Sequence, residues 1–180
     1  MDDKIRENDD EKFWIQMSVL EICAQADFAK MAYNNIGEKP EQGKEKAVFS
    51  SIHSFLSHCA MISKLLQAKG SQQTIENILD VPRDSIINKR KFRNHLEHYD
   101  AELKAWIRRA GEGASVVNHH VGSRADFPIK NALFVSFYDP FTKICTFVDR
   151  DFNLEEMFIE SQEIRNKADK WLVLHPMQPI

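Results

Sequence analysis

The chain has 180 residues, 43% of them hydrophobic and 28% charged, enough for one domain with a real core and marginal for two. Its 24 basic and 27 acidic side chains leave a net charge of -3, which excludes a uniformly basic, histone-like surface but not a local basic patch. No apolar run approaches the roughly 18 residues of a membrane helix, and the polar start through Glu11 does not have the pattern of a secretory signal.

Gly and Pro are absent from residues 1–36, 44–69, 83–110 and 141–175, and helices can run in such stretches. The first helix is predicted over residues 10–34. Phe13, Met17, Leu20, Ala24, Phe28 and Met31 recur at three- and four-residue steps and form its packing face. The second is predicted over 44–69, with Val48, Ile52, Phe55, Cys59, Ile62 and Leu66 as its stripe and Gly70 as its stop. Residues 71–80 read as a short helix or turn. A third long helix is predicted over 84–109, packed through Phe92, Leu96, Tyr99, Leu103 and Trp106.

Residues 110–126 then read as a polar, glycine-bearing loop holding His119 and His120. A β-hairpin is predicted at about 131–149, turning at Asp139-Pro140. A last helix is predicted at about 154–174. Cys23, Cys59 and Cys145 are far apart and odd in number, so no metal pair or disulfide framework fits; each is expected to be a small core residue in a reducing cytoplasm. The expected architecture is a single mainly α domain over residues 1–180, a bundle of about four to five helices with a small hairpin.

The densest chemistry is Lys89-Arg90-Lys91-Phe92-Arg93-Asn94-His95-Leu96-Glu97-His98-Tyr99-Asp100. On a wheel of about 100° per residue, Arg93, Asn94, Glu97 and His98 fall away from the apolar stripe, with His95 at its edge. Spacing alone leaves two readings open. One is a solvated face with an Arg93–Glu97 pair four residues apart. The other is a phosphate-handling site. Arginine offers a permanent charge and a planar fork for phosphate oxygens, and histidine moves protons near neutral pH. Asn94, one turn before His98, is placed to orient the imidazole.

Arg93-Asn94-x-x-x-His98 resembles the Arg-x4-His motif of HEPN-domain proteins, whose second position is typically Asn, Asp or His. The stretches Phe49-Ser50-Ser51-Ile52-His53-Ser54-Phe55-Leu56 and Tyr138-Asp139-Pro140-Phe141-Thr142 are also similar to segments of uncharacterised bacterial members, so the likeness touches residues 10–175. The resemblance implies a helical bundle with the motif on a late core helix. It also implies metal-independent RNA cleavage of the toxin or phage-defence type. The 2′-hydroxyl attacks, His98 is the acid/base, and Arg93 stabilises the charged transition state. Asn94 supports them, and Glu97 is a further candidate.

Lys89, Arg90 and Lys91, with Tyr99, are candidate RNA contacts; a solubilising helix face is the alternative for the basic run. Arg93 and His98 lie about 140° apart on a regular helix, so two copies facing each other across a two-fold axis would focus them better than one. A homodimer with this helix near the interface is therefore expected. RNA is the expected substrate and an antitoxin protein a candidate partner, with no cofactor, no metal and no membrane. The alternative is a non-catalytic HEPN-like module that binds a nucleotide, RNA or a protein partner.

His53 and His58 are five residues apart, which does not put them on one helix face for a metal site. His119 and His120 read as residues of a mobile surface loop. Phe13, Trp14, Trp106 and Trp171 read as core rather than as base-stacking platforms.

Overall fold

The fold was analysed in a computed structural model that describes residues 2–37, 43–69, 73–89, 94, 97–111, 115–125, 127–129, 132–148 and 150–176, with side chains from Asp10 onward. Five helices occur among them: α1 (Asp2–Asn34), α2 (Glu45–Leu66), α3 (Ile75–Ile78), α4 (Tyr99–Ala110) and α5 (Leu154–Leu174). Six strands accompany them: β1 (Val116–Val117), β2 (His120–Val121), β3 (Leu133–Phe134), β4 (Ser136–Asp139), β5 (Ile144–Phe147) and β6 (Arg150–Asn153). The strands form a two-stranded sheet and a four-stranded sheet in the order β2-β4-β5-β6. The architecture is thus mixed α/β, which corrects the expectation of a mainly α bundle bearing one hairpin.

The predicted hairpin is present as the antiparallel pair β4–β5, in the middle of the larger sheet. Its turn forms because Asp139 Oδ1 accepts from the N–H groups of Phe141 (2.9 Å) and Thr142 (3.4 Å). What was read as a polar loop supplies β1 and β2. They pair parallel to β3 and β4, every partner lying 17 residues on (Val116 with Leu133, His120 with Phe137). Between them the ladder is broken, and a side chain fills the gap. Ser136 Oγ accepts from the His119 N–H at 2.9 Å and donates to Asn118 Oδ1 at 2.7 Å.

The inner face of the sheet, with Tyr138, Cys145, Phe147 and Phe152, packs on the helices. Its outer face is covered by Arg124 and Phe127. The Arg124 guanidinium sits over the rings of Phe134 and Phe137 and donates to Thr146 Oγ1 at 3.2 Å. The three cysteines are buried and free, as expected.

The helical core joins α1 to α2 and α5. Ile22, Ala26 and Ala29 of α1 meet Ile52, Phe55 and Cys59 of α2 and Ile164 and Ala168 of α5 in one buried cluster. Tyr33 stacks on Phe158 and tilts against Phe55. The predicted packing face of α1 is the wrong one. Phe13, Met17, Leu20, Phe28 and Met31 are exposed, while Val19, Ile22, Ala26 and Ala29 have no exposed surface. Of the four aromatics read as core, Trp106 is buried and Trp171 half-buried, but Phe13 is 52% exposed and Trp14 lies at the surface. The small inner residues let α2 and α5 approach closely, and that decides which face packs. No described helix is long and apolar enough to cross a membrane.

Candidate functional site

The single helix expected over 84–109 is not continuous. Residues 83–88 form turns, seated by a buried polar hub. Asn88 Nδ2 donates to Glu76 Oε2 (2.7 Å), Gln67 Nε2 donates to Asn88 Oδ1 (3.0 Å), and Arg83 Nε donates to Glu76 Oε1 (2.7 Å). This hub fastens α3 and the following turns to the C-terminal end of α2. It therefore fixes where the chain enters the segment with the Arg-x4-His spacing.

Within that segment Asn94, Glu97, His98 and Tyr99 are described; Arg93, Arg90 and Lys91 lie outside the described residues, as do Phe92, His95 and Leu96. The His98 N–H donates to the Asn94 carbonyl at 3.0 Å, and the Glu102 N–H donates to the His98 carbonyl at 3.1 Å. The helical hydrogen-bond pattern is thus present one turn before α4, with His98 at its N-cap. Asn94, Glu97 and His98 are all exposed. The positive end of α4 favours an anion beside His98, opposed by Asp100 and Glu102 in its first turn.

Glu97 Oε1 lies 2.8 Å from Lys64 Nζ of α2. Both groups reach solvent, so the pair adds little stability. Tyr99 is half-buried and meets the Phe147 ring edge-on at 6.4 Å; burial pushes its hydroxyl pKa up. Its ring therefore packs on the sheet. Lys89 is exposed and lines a shallow cleft with Ile86, Arg150, Asp151 and Phe152, where Arg150 also pairs with Glu102 at 3.0 Å. Two cations thus border one depression next to α4.

Phe147 gathers residues that sequence spacing did not connect. The His53 ring lies 4.8 Å from it, Tyr99 approaches from α4, and Phe49 at 6.1 Å links it to His119, 5.0 Å further on. Burial first, and repulsion from His119 second, lower the pKa of His53. His53 thus holds a proton less readily than an ordinary histidine. Its chain neighbour His58 turns to α1, where its Nδ1 pairs with Gln25 Oε1 at 2.7 Å. Only the fold brings α2, the β1–β2 turn and α4 together, so no local pattern could have shown this grouping.

His119 and His120 are half-buried parts of the structure, not a loose loop. His119 has a left-handed backbone (φ 56°), and His120 stacks on Phe137 and is enclosed by Phe127 and Phe134. A side chain at Gly122 would place a carbon 3.2 Å from His120 Nε2, at a φ that disfavours any other residue. Among the described residues no group of three or more His, Cys, Asp or Glu side chains is placed to hold a metal ion. Comparisons with family models, curated proteins and solved structures give no match.

Proposed function

We propose that this chain is a metal-independent endoribonuclease of the HEPN toxin or phage-defence type. The observation that carries the reading is the run Arg93-Asn94-x-x-x-His98, with His98 exposed at the N-terminal end of α4. RNA supplies its own nucleophile. The 2′-hydroxyl attacks the adjacent phosphorus, the bond to the 5′-oxygen breaks, and the products carry a 2′,3′-cyclic phosphate and a 5′-hydroxyl. His98 takes the 2′-proton and returns it to the departing oxygen. Arg93 stabilises the extra negative charge of the transition state, and Asn94 supports the pair. Lys89, Arg90 and Lys91 hold the backbone.

Two copies acting together overcome the angular separation of Arg93 and His98, so the active form is a homodimer. A cytoplasmic location suits the three buried free thiols, and an antitoxin protein would be the partner that restrains the activity. The deciding experiment is RNA cleavage by purified protein in EDTA, with wild type beside His98→Ala. Wild type should produce cyclic-phosphate ends while the folded variant is reduced at least about a hundredfold. Equal activity, or none in either protein, removes the catalytic assignment.

A second reading uses the exposed polar face of Asn94, Glu97 and His98 without chemistry. It is a non-catalytic module that binds RNA, a nucleotide or a protein through the same face. His98→Ala would then weaken binding with no turnover to lose.

A further inference from the structure

α1 bears two apolar stripes about half a turn apart. The inner one is spent on α2 and α5. The outer one, Phe13, Met17, Leu20, Ala24, Phe28 and Met31, runs along the surface for about 27 Å. Its large side chains are 52, 42, 40, 48 and 63% exposed in chain order. Trp14 at its edge widens it, at 36%. A helix apolar on both sides is ordinarily covered on both. An exposed patch of several hundred Å² marks an interaction surface.

We propose that a second copy of this chain docks on the outer stripe, its α1 crossing antiparallel about a two-fold axis level with residue 22. A two-fold interface must be complementary to itself. Four of the six stripe positions mirror about that point, and the other two fall one residue out of register. Phe13 falls opposite Met31, Leu20 opposite Ala24, and Met17 beside Phe28. The smallest residue, Ala24, thus receives Leu20 near the axis. A parallel pairing would set Phe13 on Phe13 and leave a gap where Ala24 meets Ala24.

The area also fits. With about 200 Å² for a fully exposed large side chain, the six large residues present about 560 Å². With a polar rim this reaches the roughly 800 Å² per partner of a standard interface. This face is not the motif-to-motif contact that the ribonuclease reading requires, so the inference stands apart from that reading, and a dimer held through α1 alone counts against paired motifs.

Light scattering after size exclusion tests it on the full chain. Wild type should elute at twice the chain mass. A Leu20→Glu, Phe28→Glu double variant should elute at the single mass with an unchanged far-UV spectrum, and Met31→Glu, the most exposed position of the stripe, should shift the same way. A wild-type monomer, or a dimer indifferent to these changes, overturns the proposal. The register is read with diamide. Phe13→Cys chains mixed with Met31→Cys chains should cross-link, on a low background because the native cysteines are buried. Phe13→Cys cross-linking to itself instead overturns the antiparallel arrangement. His98→Ala lies on another element and should leave the dimer intact, so loss of cleavage and loss of association are scored separately.

Discussion

Glu76 shows how one buried carboxylate organises its surroundings. Burial pushes its pKa up, but hydrogen bonds from Asn88 and Arg83, with the charge of Arg83, outweigh that and leave it below the ordinary carboxylate value. A lowered folded-state pKa gives stability that is complete above the unfolded value of about 4.3 and is lost as pH falls through the folded one. Glu76→Gln should therefore cost about 1–3 kcal/mol in urea unfolding at pH 7, and the penalty should shrink below about pH 4. The two donors should differ. Asn88 is buried, so Asn88→Ala should cost about 1–3 kcal/mol. Arg83 is 78% exposed, so Arg83→Ala should cost under about 1 kcal/mol. Equal penalties would mean that the buried amide is not the principal donor.

At the level of elements, α5 was legible to the residue. Asn153 precedes an apolar periodicity with no breaker inside, and its Oδ1 caps the helix by accepting from the Glu156 N–H at 3.2 Å. Asn153→Ala should lower stability by about 1 kcal/mol, measured as a shifted urea midpoint with an unchanged slope. The end of α1 at Asn34 was legible as well, but its start, eight residues earlier than expected, and its orientation were not. Two opposite stripes have nearly equal claims to the core, and the larger residues drew the reading outward. Crowding at the true interface gives the check: Ala29→Leu should destabilise by about 1–3 kcal/mol, whereas a tolerated leucine would mean the small residues are not what sets the helix spacing. β1 and β2 escaped notice because two-residue strands carry no alternation, and β6, Arg-Asp-Phe-Asn, reads as polar. The motif residues were legible as letters. The grouping of His53 and Tyr99 around Phe147 depends on contacts between distant segments, which no local pattern encodes.

Across the whole molecule, three histidines push stability in one direction. Burial lowers the pKa of His53, His58 and His120; His119 adds to the effect at His53, and Glu45 opposes it at His120. The unfolded chain therefore binds more protons than the folded one below about pH 6.5, so stability is full above that value and is lost as pH falls through it. The melting temperature should fall between pH 7.5 and 5.5, and the fall should be smaller in a His53→Gln, His120→Gln double variant. An undiminished fall would place the sensitivity elsewhere. The pairing of α1 with α5 has a consequence for synthesis. Arg165 grips Asp27 at 2.7 Å across 138 residues, and Gln16 reaches the carbonyl of His175 across 159. On the ribosome, α1 emerges well before α5, which covers it only after more than a hundred further residues have been made. Throughout that interval the outer stripe, and the part of the inner side that α2 leaves uncovered, are open to other nascent chains, so yield in a cell should depend on chaperones that bind early apolar segments.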